Sequence, residues 1–177
     1  YKLKFTKLQH EIFRFLCIKA GTSLNQRGIA KSLGISPTAV SKSLPQLEKE
    51  GLIKVKKINP IYSSVKFNRD NPKAIELKRV ENLRMIYESG LSDFLEESFP
   101  GCCIVLFGSY SRGEDTINSD IDIAVIGSKG KDMDLTKFDG MLERTIFLHF
   151  FPSFKKISKE LKENILNGIV LSGGIEL

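Results

Sequence analysis

The sequence predicts an α/β (α+β) fold in two parts joined by a helical linker: short capped helices with a β-hairpin first, then a mixed sheet flanked by helices. Three observations carry that prediction. Charge is unevenly spread: residues 1–70 hold 14 Lys and Arg against 4 Asp and Glu, and residues 71–177 hold 13 against 17, so a net +10 precedes a net −4. Helix caps and glycine stops punctuate the basic part. Further on, an apolar strand runs into Gly108-Ser109 and, after a polar spacer, into Ser119-Asp120-Ile121-Asp122-Ile123-Ala124-Val125.

With 177 residues, 41% of them hydrophobic, the chain has room for one or two domains with their own cores. No apolar run reaches the ~20 residues of a membrane span, and the start lacks a signal-peptide pattern. These features predict no membrane association. The chain opens on Tyr1 rather than Met, so a few residues are expected to precede it. Cys17, Cys102 and Cys103 are too few and too irregular for a disulfide framework or a zinc site. Cys102 and Cys103 lead a buried strand, where Cys acts as a small hydrophobe, and a reducing cytoplasm is the expected location.

Thr6 is placed to cap a helix running to about Ala20, with Leu8, Ile12, Phe15 and Leu16 on one face. Asn25 caps a short second helix, Gln26 to Leu33, closed by Gly34. Ser36 caps a third, with Pro37 at the first helical position, where its missing N–H costs nothing. Gly51 ends that helix. Leu52 to Lys57 then alternates as a strand, Asn59-Pro60 turns the chain, and Tyr62 to Asn68 returns. Pro45 lies well inside the third helix, where it removes a donor and crowds the carbonyl of Ser41; a kink or an early end of the ordered helix is expected there. A basic surface on such a part points to a polyanionic partner.

The stretch Ile29 to Leu44, with Leu47-Glu48-Lys49-Glu50-Gly51-Leu52-Ile53, resembles the winged helix-turn-helix transcription regulators of bacteria and archaea. That resemblance implies DNA binding, with the third helix in the major groove. Ser36, Thr38, Ala39, Ser41 and Lys42 then face base edges and phosphates, and Lys54, Lys56 and Lys57 contact the backbone from the wing. Most specific operators require a homodimer, which the sequence does not encode visibly.

Asn71-Pro72 starts a new helical pattern, carried by Ile75, Leu77, Val80, Leu83, Ile86 and Tyr87. Gly90 interrupts it and Leu91 to Phe99 resumes it until Pro100-Gly101, so one long helix or two in tandem make the linker. The domains are therefore expected at 1–70, a connector at 71–100 and a second domain at 101–177. Beyond the Asp-x-Asp strand the pattern predicts a helix at about 135–142, a strand at 144–151, a helix at 154–167 and a short strand at 168–172.

Strand alternation sends Asp120 and Asp122 to one face and Ile121 and Ile123 to the other. Two acids side by side repel, and burying either is costly unless a cation is present. A divalent metal removes the difficulty and suits phosphoryl transfer.

Ile104-Val105-Leu106-Phe107, Gly108-Ser109, Tyr110-Ser111-Arg112-Gly113-Glu114 and Asp120-Ile121-Asp122-Ile123 together resemble the nucleotidyltransferase superfamily that includes DNA polymerase beta, most closely its minimal stand-alone branch. This resemblance implies transfer of a nucleoside monophosphate from a nucleoside triphosphate to an acceptor hydroxyl, with Mg2+ (or Mn2+) held by Asp120 and Asp122. It also implies nucleotide contacts from Gly108, Ser109, Arg112 and Ser119, and a toxin-like helical ribonuclease as a partner protein. Arg112 pairs either with phosphate or with Glu114 or Asp115. Active members carry a third carboxylate on the neighbouring strand, which here reads Arg144-Thr145-Ile146-Phe147-Leu148-His149-Phe150. Phe147 stands where that acid belongs; Glu143 is the candidate replacement, and His149 shares the parity of Phe147. The alternative to an enzyme is a non-catalytic transcription regulator whose nucleotidyltransferase-like domain binds nucleotide or a partner protein.

Overall fold

In the computed structural model, residues 5–58 and 63–175 are described. The expected turn at Asn59-Pro60 and the start of the return strand at Tyr62 lie outside them. The chain divides into two compact units, residues 1–78 and 79–177.

In the first unit, α1 (Lys7–Ile18) starts on a capping box: Thr6 accepts from the Gln9 amide, and the Gln9 side chain accepts from the Thr6 amide. Asn25 Oδ1 accepts from the Gly28 amide at 2.6 Å at the head of α2 (Gln26–Leu33), and Gly34 closes that helix in the left-handed region. Ser36 Oγ accepts from the Ala39 amide at 3.1 Å and Pro37 opens α3 (Pro37–Lys49). The buried face of α1 is Ile12, Phe13, Leu16 and Cys17, with Leu8 and Phe15 only partly covered at its margin. The apolar stripe is thus turned by one residue from the one read off the sequence, because Phe13 packs on Phe67.

The expectation of an early helix end at Pro45 is corrected: α3 runs through it to Lys49. Pro45 is on the exposed face, so the Ser41 carbonyl it leaves without an intrahelical donor is open to water. The hairpin pairs β2 (Ile53–Lys57) with β3 (Ser63–Phe67), and a two-residue strand, β1 (Leu24–Asn25), adds to β3 from the far side. Nothing in the local pattern signals β1; it exists because Leu24 lies opposite the buried Val65.

The linker region forms two helices in tandem, α4 (Pro72–Glu88) and α5 (Leu91–Ser98), with Gly90 between them. The second unit is built on a four-stranded sheet of order β6-β5-β4-β7. Its strands are β4 (Cys103–Phe107), β5 (Ile121–Ile126), β6 (Ile146–Phe151) and β7 (Ile169–Ser172). β4 is antiparallel to β5 and β7, and β5 is parallel to β6, so the sheet is mixed as expected. One face carries Cys103, Val105, Phe107, Ala124 and Ile126, covered by a 3-10 turn (Phe154–Lys156) and by the helix Lys159–Leu166. On the other face Phe150 packs against Phe99. Burial pushes the Cys103 thiol pKa up, which suits a packing role.

Candidate functional site

Every residue of β4 is buried, so the strand drives straight into the core and must turn sharply at its end. Gly108 makes that turn at φ 76° and starts the five-residue helix α6 (Gly108–Arg112). Ser111 Oγ donates to the Gly108 carbonyl at 2.9 Å, and the Glu114 amide donates to the Ser109 carbonyl at 3.0 Å. Before Asp120, the Thr116 amide donates to Ser119 Oγ at 2.9 Å and the Ser119 amide returns to the Thr116 carbonyl at 3.0 Å. Ser119 thus closes the turn that delivers Asp120. The Ile121 amide then donates to the Thr145 carbonyl at 2.9 Å, starting the parallel pairing with β6.

Asp122 is the centre of the site. Its register partners are Phe107 on β4 and Phe147 on β6, so all three lie on one face. A Cβ on Gly108 would stand 2.7 Å from Asp122 Oδ2, so only glycine lets this carboxylate settle on the turn. Asp122 Oδ1 bonds His149 Nε2 at 2.9 Å, and the imidazole stands edge-on to Phe107 with ring centroids 5.3 Å apart. His149 therefore orients one carboxylate oxygen and leaves the other beside Gly108. Phe147, directly across from Asp122, is 48% exposed and puts an apolar ring at that register position.

Asp120 is exposed, one residue ahead of β5. It lines an open depression of about 360 Å³ together with Ser119, Asp139, Glu143 and Thr145; among the described residues Asp122 is not part of that lining. Glu143 ends the helix α7 (Thr136–Leu142) at φ 51°, the single non-glycine residue with positive φ among those described. That strained turn brings Glu143 beside Asp120 but not, by this lining, beside Asp122. Asp139 Oδ1 accepts from the Ile146 amide at 3.0 Å and so braces the start of β6.

Among the described residues no group of three His, Cys, Asp or Glu side chains is arranged to hold a metal ion. Asp120 and Asp122 offer oxygen donors of the kind taken by Mg2+, which is commonly held by one or two protein carboxylates with phosphates and water completing its shell.

Arg112 Nε donates to Glu114 Oε2 at 2.8 Å with both side chains partly exposed. Such a pair contributes at most about 1 kcal/mol, so the guanidinium is available to an incoming phosphate. Asp115, the other partner considered for Arg112, instead pairs with Arg144 at 3.4 Å in the interior. Sequence reasoning missed that pair, because 29 residues separate its members and no local spacing signals it.

In the first unit, Ser36, Thr38, Ser41 and Lys42 are exposed on α3, and Ala39 is half-buried. The Ser36 hydroxyl is engaged in its cap. Lys56 and Lys57 are exposed, while Lys54 is half-buried and ion-paired with Asp70. By strand parity Lys57 points to the face opposite Lys54 and Lys56. Lys66, which the sequence reading passed over, lies directly across from Lys54, a like-charge juxtaposition that Asp70 offsets through its ion pair with Lys54.

Two substitutions separate strain from function. Gly108→Ala is expected to cost about 1–2 kcal/mol in urea unfolding, from a left-handed alanine, and to weaken Mn2+ binding by displacing Asp122. Glu143→Gly is expected to leave stability unchanged or to raise it by up to ~1 kcal/mol, since glycine relieves the positive φ and loses some of that gain to the unfolded chain. A loss of stability in Glu143→Gly would show that the carboxylate is structural.

The family model described as a nucleotidyltransferase domain matches residues 88–172, and that described as winged helix-turn-helix DNA-binding matches residues 17–54. No curated protein matches the chain. Among solved structures it is similar to the adhesin competence repressor AdcR from Streptococcus pyogenes, at 20% identity over 54% of this chain and 69% of that one, with a TM-score of 0.42. It is also similar to ZitR of Lactococcus lactis, a zinc-responsive MarR family member, at 27% identity over 55% of this chain and 63% of ZitR, with a TM-score of 0.39. A ZitR variant in complex with DNA matches at 26% identity, with 54% of this chain and 62% of that one covered and a TM-score of 0.39. The chain spans less than two thirds of ZitR. The chain accordingly carries a winged helix-turn-helix DNA-binding domain followed by a nucleotidyltransferase domain.

Proposed function

We propose that this DNA-binding protein transfers a nucleoside monophosphate from a nucleoside triphosphate to an acceptor hydroxyl. The observation that carries the reading is the seat of Asp122 against Gly108, closed to any Cβ, with Ser109 next in the chain. In the reaction the acceptor oxygen forms a bond to the α-phosphorus, the α–β bridging bond breaks, pyrophosphate leaves, and the acceptor proton is released. Asp120 and Asp122 would hold Mg2+ or Mn2+, which would offset the charge of the triphosphate. The Ser109 hydroxyl and amide bind terminal phosphate oxygens, Arg112 exchanges Glu114 for phosphate, and Ser119 fixes the turn bearing Asp120. Glu143, which lines the same depression as Asp120, takes the acceptor proton on this reading. By resemblance the acceptor belongs to a partner protein of the toxin-like helical ribonuclease kind, and a homodimer presents two reading helices to an operator.

A second reading is favoured by Phe147, whose ring occupies the register position opposite Asp122. On that reading the domain is a non-catalytic regulator that binds nucleotide or a partner. No helix among the described residues is long and apolar enough to cross a membrane, which fits a cytoplasmic setting for either.

Incubation with labelled nucleoside triphosphates, Mg2+ and candidate acceptors decides between them. Label transfer lost in Asp120→Asn/Asp122→Asn is the expected outcome for the enzyme. Tight nucleotide binding without transfer, with transfer appearing in Phe147→Asp, is the outcome for the regulator. Gel shifts test the first unit: Lys42→Ala should weaken binding to all sequences and flatten the plot of log affinity against log salt by about one. An unchanged slope removes Lys42 from the phosphate contacts.

A further inference from the structure

Between the Gly108 turn and Asp120 the chain passes through a loop that must hold its shape if the site acids are to stay in place. Three buried polar side chains from separate parts of the second unit meet at this loop: Asn82, Asp115 and Arg144 are 1%, 1% and 5% exposed. Asn82 Nδ2 donates to the Tyr110 carbonyl at 2.8 Å and to Asp115 Oδ1 at 2.7 Å, so its two N–H groups tie α6 to the loop. Arg144 Nη2 donates to Asp115 Oδ2 at 3.4 Å, and Arg144 Nη1 donates to the Glu143 carbonyl at 2.8 Å. Both Asp115 oxygens are thereby engaged, one from α4 and one from the segment entering β6.

The elements that carry Ser109, Asp120 and Glu143 are all fastened to this one carboxylate. Burying a charged pair is costly, and apolar residues of the same volume often stabilise a fold as well or better. The distinctive yield of such a network is one fixed arrangement, here at the place where a polar ligand has to be met by preset groups.

We infer that Asn82, Asp115 and Arg144 are positioning residues for the nucleotide site, holding the 108–120 loop and the Glu143 turn at the spacing a metal-bound nucleoside triphosphate requires. The inference rests on the reading that Asp120 and Asp122 hold such a nucleotide.

Two variants of the full chain test it: Asp115→Asn, which keeps the shape and removes the charge, and Asn82→Leu, which keeps the volume and removes both donors. Should Asp115→Asn fail to fold, Asn82→Leu carries the test. Amide hydrogen exchange is read at residues 113–120 and at 143–145, with β4 as the internal reference, at a temperature where each protein is folded. Mn2+–ATP affinity is read by electron paramagnetic resonance under the same conditions. The expected result is faster exchange in both segments with β4 unchanged, and affinity about tenfold weaker. Unchanged loop exchange overturns the positioning role, and so does a loosened loop with unchanged Mn2+–ATP affinity. A wild type that binds no Mn2+–ATP overturns the nucleotide reading instead, and loop exchange then decides on its own whether the cluster sets the loop.

Discussion

Asp122 sits where an apolar sheet meets solvent, and the second unit is organised around keeping a carboxylate there. The strand behind it is buried on every residue, so the chain cannot drift. The turn beneath it lacks a Cβ at the one point where a Cβ would collide with Oδ2. On the other side an imidazole bonds Oδ1 while its ring rests on Phe107. A half-buried acid held from two sides is oriented before any ligand arrives, and prior orientation is what lets charged groups act strongly in a site. Asp120 complements it differently: it is exposed, delivered by a short hydrogen-bonded turn, and free to meet a ligand from the solvent side.

Much of this was legible in the sequence, and the reason is distance along the chain. The caps of α1, α2 and α3 and the Gly108 turn are written within four residues or fewer, so spacing alone discloses them, whereas Asp120 falls one residue ahead of β5 and so outside the alternation read for it. The pairing of Phe147 with Asp122 was reached only through the resemblance, because alternation within β6 says which of its residues share a face and not which residue of β5 each one meets. The failures concern partners far apart in sequence. β1 forms only because β3 passes beside it, and the buried stripe of α1 is set by Phe67. Pro45 misled for a related reason: its cost depends on whether water reaches the Ser41 carbonyl, and exposure is a property of the packed unit.

The Arg112 question shows how local pairing competes with burial. Glu114 and Asp115 both lie within reach of Arg112 by sequence, and the exposed Glu114 takes it. Asp115 turns inward, where a guanidinium and an amide from elsewhere engage it. An exposed pair is weak and exchangeable, whereas a buried one is strongly destabilising to break. The two neighbouring acids therefore divide the labour: one keeps an arginine at the surface, the other anchors the loop.

Binding and transfer make separable demands on such a site. Holding a metal-bound triphosphate requires charge neutralisation in the ground state, and two carboxylates with Ser109 and Arg112 supply groups of the right kind. Transfer requires more, namely an acceptor oxygen brought in line and relieved of its proton as the new bond forms. Each ~1.4 kcal/mol lost from that second set of interactions slows the reaction tenfold while leaving ground-state affinity intact. On β6 the register position opposite Asp122 carries the ring of Phe147 and not a carboxylate. Phe147 is 48% exposed on the edge strand, so a change of side chain there disturbs little of the core while altering what stands opposite Asp122.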